Sequence, residues 1–135
     1  MVAAGFEAGA VFSYSYLWAR EAEAGEESGR KNRPACLLIR LSRNEDRLYM
    51  FAITSRRPTA ERISEELSLL ECKRCGLRAP AWIILDEFNV SMASELQDFA
   101  SLRPLGNLSP AFVKMALRKA FFAVKTSHAR GIIRS

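Results

Sequence analysis

Residues 33–55 read RPACLLIRLSRNEDRLYMFAITS, and this stretch predicts a β-hairpin. It contains two nearly continuous apolar runs, at residues 35–41 and 47–53, and each has the length of a buried strand. The polar connection between them is typical of a hairpin turn. Because the start of one hairpin strand lies beside the end of its partner, Arg33 and Thr54 are expected close together at one edge of the sheet.

The sequence before this hairpin predicts one more strand and a loop. Residues 10–18 (AVFSYSYLW) alternate with a period of two, which is typical of a strand with two different faces. One face carries the aromatic residues Phe12, Tyr14, Tyr16 and Trp18. Residues 19–32 are polar, charged and contain two glycines, so they are predicted as a long exposed loop.

The sequence after the hairpin predicts a short helix, a strand and a longer helix. Residues 69–75 are expected to form a helical turn that stops at Gly76, and residues 82–85 (WIIL) a buried strand that continues or bends through residues 86–90. Residues 91–107 have no usable periodicity, which favours an irregular surface excursion. The last helix begins at Ser109-Pro110, a typical N-cap followed by a proline at the first helical position.

The last helix has more apolar surface than a single core-facing stripe requires. A 3.6-residue period predicts one apolar stripe, formed by Val113, Leu117, Ala120 and Val124. Three further aromatic residues, Phe112, Phe121 and Phe122, add to this surface. One interpretation is a surface helix with a broad core side; the other is a helix that also covers a subunit interface.

Together these elements predict a single domain, residues 1–135, that is mainly β with a C-terminal α-helix. Its core is expected at about residues 9–124, followed by a basic tail at residues 125–135. A small SH3-like barrel is the natural closure for several short strands in a chain of this length.

Composition excludes several classes of protein and leaves others open. Hydrophobic residues make up 49% of the 135 residues and charged residues 26%, which excludes a disordered chain or a collagen-like repeat. No stretch has the length and apolarity of a membrane span or the pattern of a secretory signal, so no membrane contact is predicted and the cytoplasm is the expected compartment. The net charge of +5 is compatible with a nucleic acid or an acidic protein as partner.

Neither a metal nor another cofactor is predicted. Cys72 and Cys75 form a C-x-x-C, but the second ligand pair of a typical zinc site is missing, and the only histidine is His128. A zinc or redox role stays open as the less favoured interpretation. The adjacent carboxylates Asp86 and Glu87 are expected on opposite faces of a strand, where they would serve as caps or surface charges.

Two short segments place cationic and hydroxyl side chains at the same edge of the predicted hairpin. Residues 25–34 read GEESGRKNRP and residues 53–58 read ITSRRP. An arginine beside a hydroxyl can bind a phosphate, because the guanidinium binds two of its oxygens and the hydroxyl donates to a third. Arg33 with Thr54 and Ser55 would form this site. Four further residues would extend it into a basic track for a nucleic-acid backbone: Arg30, Lys31, Arg56 and Arg57.

These segments, taken in order, resemble the MazF/PemK toxins of type II toxin–antitoxin systems. The resemblance also includes WIILDEFN at residues 82–89 and PLGNLSPAFVKMALRKAF at residues 104–121, and it covers residues 9–124. It implies an SH3-like barrel of the MazF/PemK/CcdB type, a cytoplasmic homodimer, and neutralisation by an acidic antitoxin. It also implies a metal-independent endoribonuclease that cleaves single-stranded RNA, typically messenger RNA, through attack of the 2′-OH.

The resemblance also assigns roles to individual residues. Arg33 and Thr54 match the catalytic pair of the family, with Ser55 in reserve, and Glu26 or Glu27 is the candidate acid or base. Two alternatives remain: an inactive barrel that binds RNA or a protein partner, and a gyrase-poisoning toxin of the same fold.

Overall fold

The computed structural model describes residues 6–25, 31–42, 46–126 and 128–134. The described chain is mostly β, with a curled and largely antiparallel sheet and a long helix near the C-terminus. Its strands are β1 (Ala10–Tyr14), β2 (Arg33–Ser42), β3 (Asp46–Thr54), β4 (Ser64–Glu66), β5 (Trp82–Ile84), β6 (Glu87–Met92), β7 (Gly106–Asn107) and β8 (Arg130–Ile133). Its helices are α1 (Ala19–Glu23), α2 (Leu69–Arg74) and α3 (Pro110–Lys125).

The predicted hairpin is the centre of the sheet. Strands β2 and β3 pair antiparallel from Ala35 opposite Ala52 to Ser42 opposite Asp46. The strand order is β4-β5-β3-β2-β1-β7, while β6 also pairs with β3 and β8 pairs with β6 in parallel. Strand β3 therefore pairs with β2 along one edge. Along its other edge, the first part of β3 pairs with β6 and its end pairs with β5.

The central parts of β2 and β3 are buried on both faces, which explains their nearly continuous apolar sequences. Along β3, Phe51 and Ile53 belong to a core cluster that also contains buried residues of α3, whereas Met50 and Ala52 belong to a second, aromatic cluster. The predicted aromatic face is confirmed, because all four of its members lie in this second cluster: Phe12, Tyr14, Tyr16 and Trp18. The strand itself ends at Tyr14.

The predicted start of α3 and the predicted end of α2 are confirmed, whereas the predicted apolar stripe of α3 is corrected at one residue. The Ser109 hydroxyl accepts a hydrogen bond from the Phe112 amide at 3.2 Å, as an N-cap should, and Gly76 has a φ of +62° after α2. The buried residues of α3 are Val113, Ala116, Ala120 and Ala123. Val124 is 56% exposed, so its predicted place in the apolar stripe is wrong.

The prediction of an exposed loop at residues 19–32 is wrong for its first part. Residues 19–23 form α1, in which Ala19 and Glu21 are buried. The Glu21 carboxylate accepts a hydrogen bond from the Trp18 amide at 3.1 Å, which caps the first turn of this helix. Residues 26–30 lie outside the described part of the chain.

The predicted basic tail at residues 125–135 is also corrected, because it contains β8. Arg134 is only 4% exposed, and its guanidinium donates to the Asn89 Oδ1 at 2.9 Å and to the Asp98 carboxylate at 2.8 Å. The Asn89 side chain in turn exchanges two hydrogen bonds with the backbone of Leu17. These contacts fix the segment that leads from β1 into Trp18 and α1.

Within the described residues, no helix is long and apolar enough to cross a membrane.

Candidate functional site

An open cavity of about 930 Å³ lies where the β2–β3 hairpin ends. Six of the predicted site residues are described by the structure and all six line it: Lys31, Arg33, Thr54, Ser55, Arg56 and Arg57. The other three, Glu26, Glu27 and Arg30, lie outside the described residues. Sequence reasoning missed several other lining residues, of which the polar or aromatic ones are Trp18, Arg20, Asn32, Thr59, Arg62 and Arg78.

The same cavity is lined by Arg33 and Thr54. The pairing of β2 with β3 extends to Ala35 opposite Ala52, and Arg33 and Thr54 each lie two residues beyond this pair on their own strand. Arg33 begins β2 and Thr54 ends β3, and both side chains line the cavity.

The Arg33 guanidinium is held against the ring of Trp18. Its Cζ lies 5.1 Å from the ring centroid, and its Nε is buried with no hydrogen-bond partner among the described residues. Burial lowers the pKa of Arg33, since a less polar environment disfavours the charged form. An unpaired buried donor costs about 1–3 kcal/mol, so an anionic ligand bound beside this guanidinium would offset part of that cost.

The Thr54 hydroxyl is oriented by a turn of the backbone. Its Oγ1 accepts a hydrogen bond from the Arg56 amide at 3.1 Å. This bond uses one of the two oxygen lone pairs and leaves the hydroxyl proton to be donated. Thr54 can therefore offer a positioned donor to a ligand oxygen in the cavity.

All described charged residues that line the cavity are basic. Its lining contains seven cationic residues: Arg20, Lys31, Arg33, Arg56, Arg57, Arg62 and Arg78. No aspartate, glutamate or histidine occurs among the described lining residues. Such a concave cationic surface attracts polyanions, and the described lining does not supply a side-chain general base.

Arg62 differs from the other lining arginines because two buried carboxylates bind it. Its Nη2 lies 2.7 Å from the Asp86 Oδ1 and 3.0 Å from the Glu87 Oε1, and its Nε donates to Asp86 at 2.9 Å. Asp86 and Glu87 are 8% and 4% exposed. The prediction that these two carboxylates lie on opposite faces as caps or surface charges is therefore wrong.

A register shift between β5 and β6 explains why the neighbouring residues Asp86 and Glu87 can bind the same arginine. Ile83 pairs with Ile53 and Asn89 pairs with Met50, so six residue steps on the β5–β6 side oppose only three on β3. The ladder is interrupted at Leu85 and Asp86, the two residues between β5 and β6, and such a bulge breaks the alternation of side chains across a strand.

Glu87 also connects this bulge to the segment that carries Trp18. Its Oε2 accepts hydrogen bonds from the Tyr16 hydroxyl at 3.1 Å and from the Ala19 amide at 3.0 Å. Burial and the nearby Glu87 charge raise the pKa of Tyr16 well above its usual value, so this phenol remains a donor at neutral pH. The only sequence signal for this network is a pair of carboxylates directly after a buried strand.

The three cysteines are core residues of the described fold. Cys36, Cys72 and Cys75 are all buried and free, and burial raises the pKa of Cys75 to about 11, so its thiol is protonated at neutral pH. Among residues 6–25, 31–42, 46–126 and 128–134, no group of three or more His, Cys, Asp or Glu side chains could hold a metal ion.

The comparisons with known proteins add no family assignment: no family model matches the chain, and no curated protein matches it.

Proposed function

We propose that this protein is an endoribonuclease that cleaves single-stranded RNA in the cationic cavity. The observation that carries this proposal is that Arg33 and Thr54 line one cavity whose described charged residues are all basic. The cavity offers a guanidinium fork, an oriented hydroxyl and a surrounding positive field, which together suit a phosphodiester of a polyanion.

The proposed reaction uses the 2′-OH of the RNA as its nucleophile. This oxygen attacks the adjacent phosphorus, the bond to the 5′-oxygen of the next nucleotide breaks, and the products carry a 2′,3′-cyclic phosphate and a 5′-OH. Arg33 stabilises the negative charge that develops on the phosphate oxygens, and Thr54 donates a hydrogen bond that holds the phosphate in line. Glu26 and Glu27 remain the candidates for the acid or base.

We further propose that the fold is an SH3-like barrel of the MazF/PemK/CcdB type and that the protein is a type II toxin acting on messenger RNA in the cytoplasm. The ordered sequence motifs and the curled sheet with its C-terminal helix support this assignment. An acidic antitoxin is the expected protein partner, because its carboxylates would complement the cationic cavity.

Incubation of the purified protein with several long RNAs tests the proposed reaction. We expect fragments that end in 2′,3′-cyclic phosphate and 5′-OH, at a rate that a chelator does not change, since the proposed chemistry requires no metal. Loss of cleavage in chelator that is restored by magnesium or zinc would contradict the metal-independent mechanism. RNAs that stay intact under all these conditions would contradict the proposed activity.

One observation favours a second candidate function, a barrel that binds RNA without cleaving it. The described lining of the cavity contains no carboxylate or histidine that could take up the 2′-OH proton. Tight binding of intact RNA, without any fragments after prolonged incubation, would favour this candidate.

We also propose that the protein is a homodimer that uses α3 at its interface. Phe121 and Phe122 are 56% and 57% exposed, and Val124 beside them is 56% exposed. Sedimentation at tens of micromolar is expected to give a dimer, and the double variant Phe121→Asp/Phe122→Asp is expected to shift it to the monomer, because burying two carboxylates is costly. Lys114→Asp, on an exposed position of the same helix, is the control. A wild-type monomer at that concentration would contradict this proposal.

A further inference from the structure

The cavity extends across the ends of three adjacent strands. In the strand order, β3 lies between β2 and β5. Thr54 at the end of β3 pairs with Trp82 of β5, while Arg33 begins β2, the strand on the other side of β3. Neighbouring strands are about 4.8 Å apart, so the three strand ends span about 10 Å. This width exceeds that of a single phosphate group.

The β5 side of the cavity has cationic residues of its own. The Cζ of Arg57 lies 5.4 Å from the ring centroid of Trp82, so this guanidinium is held by a cation–π contact. Arg78 lies in the connection between α2 and β5 and lines the cavity together with Leu77 and Ala81. Both arginines are exposed.

These two arginines are available to a ligand, in contrast to Arg62. Arg62 is engaged by Asp86 and Glu87, whereas neither Arg57 nor Arg78 forms an ion pair with a carboxylate within the described residues. A guanidinium without a carboxylate partner keeps its full charge and its fork of donors for an incoming phosphate.

We propose that Arg57 and Arg78 form a second phosphate subsite on the β5 side of Thr54. This inference rests on the proposed function and deepens it. The phosphate to be cleaved lies between Arg33 and Thr54, and a neighbouring phosphate of the same strand lies against Arg57 and Arg78. The ligand is therefore a single-stranded polynucleotide with at least two consecutive phosphates, and a mononucleotide fills only part of the cavity. Trp82 acts as a positioning residue for Arg57.

Binding of non-cleavable RNA tests this subsite separately from catalysis. The probes are fluorescent 2′-O-methyl oligoribonucleotides with one, two, three and six phosphates, which lack the nucleophile of the proposed reaction. We expect a rise in affinity of at least tenfold between one phosphate and two or three phosphates in the wild-type protein. In Arg78→Ala this rise is expected to be much smaller, because the second phosphate loses a partner.

The salt dependence of binding gives a second readout. For single strands the slope of log K against log salt concentration changes by about 0.7 for each neutralised phosphate. We expect Arg78→Ala and Arg57→Ala each to reduce the slope by up to about 0.7. The control Arg103→Ala removes the same charge from an exposed residue outside the cavity lining, and its slope is expected to match the wild type.

The outcomes separate this inference from the proposed activity. An Arg78→Ala variant with wild-type slope and wild-type length dependence would overturn the second subsite, even if the wild-type protein cleaves RNA. A protein that shows the expected length and slope effects but leaves cleavable RNA intact would retain the subsite and lose the proposed catalysis. Equal affinity of the wild type for one, two and three phosphates would also overturn the subsite.

Discussion

Arg33→Ala is expected to lower the rate of RNA cleavage by about 10³-fold. Removal of a single positioned donor to a developing oxyanion typically costs about 10²–10³ in rate, and Arg33 contributes a formal charge in addition to its donors. Thr54→Ala is expected to cost about 10²-fold, since a neutral hydroxyl donor is lost. Because both side chains act on one phosphate, the double variant should lose less than the product of the two effects. Single-turnover cleavage of a labelled RNA measures all three rates.

The fold is expected to survive the Arg33→Ala substitution. The Arg33 Nε already lacks a hydrogen-bond partner among the described residues, and the contact that the side chain makes with the Trp18 ring is worth about 1 kcal/mol. The far-ultraviolet circular dichroism spectrum and the urea midpoint should therefore stay close to those of the wild type.

Two further substitutions serve as controls for the role of Arg33. Arg33→Lys keeps the charge but loses the two-pronged donor geometry, so it is expected to recover only a small part of the activity. Arg56→Ala removes a cavity charge that is not part of the proposed Arg33–Thr54 pair, and it is expected to weaken RNA binding in a salt-dependent manner while turnover continues. Cleavage that survives both Arg33→Ala and Thr54→Ala would show that the site lies elsewhere.

The sequence was most informative where local pattern and tertiary environment agree. Most residues of the two apolar runs are buried, and they contribute to the core on both faces of the sheet, which is why the runs lack alternation and are still recognisable as strands. The predicted pairing of the two strands is observed, with a register shift between Leu37 and Ile39, and Arg33 and Thr54 lie two residues beyond its last pair, Ala35 and Ala52. The cap of α3 was predictable because Ser109 and Pro110 satisfy local requirements of a helix start.

The features that sequence reasoning missed depend on contacts between distant segments. Helix α1 has a polar sequence, and it is held in place through the bond from the Ala19 amide to Glu87, a residue 68 positions away. Strand β8 lies in a basic stretch without a clear strand pattern, and its following residue Arg134 is buried against Asn89 and Asp98. Arg78 reaches the cavity only through the path of the α2–β5 connection. None of these placements follows from local periodicity.

The network around Arg62 leads to the largest expected effect on stability. Arg62→Ala would leave Asp86 and Glu87, at 8% and 4% exposure, without their shared cation. Loss of one partner of a buried ion pair typically costs about 3–5 kcal/mol, because the remaining charge stays desolvated. The Arg62 side chain is itself 31% exposed, so we expect a loss of about 3 kcal/mol in the free energy of unfolding, measured by urea denaturation at neutral pH.

A control variant and a second substitution show whether the loss of stability comes from the unpaired buried carboxylates or from the truncation of the arginine side chain itself. Arg130→Ala breaks the ion pair with Glu23, whose side chains are 64% and 65% exposed, and should cost less than about 1 kcal/mol. Glu87→Gln in the Arg62→Ala background should restore part of the stability, since it removes one of the two unpaired charges and keeps the shape of the side chain. A deficit no larger than that of Arg130→Ala, or one that Glu87→Gln does not reduce, would show that the Arg62 network does not hold this wall of the cavity in place.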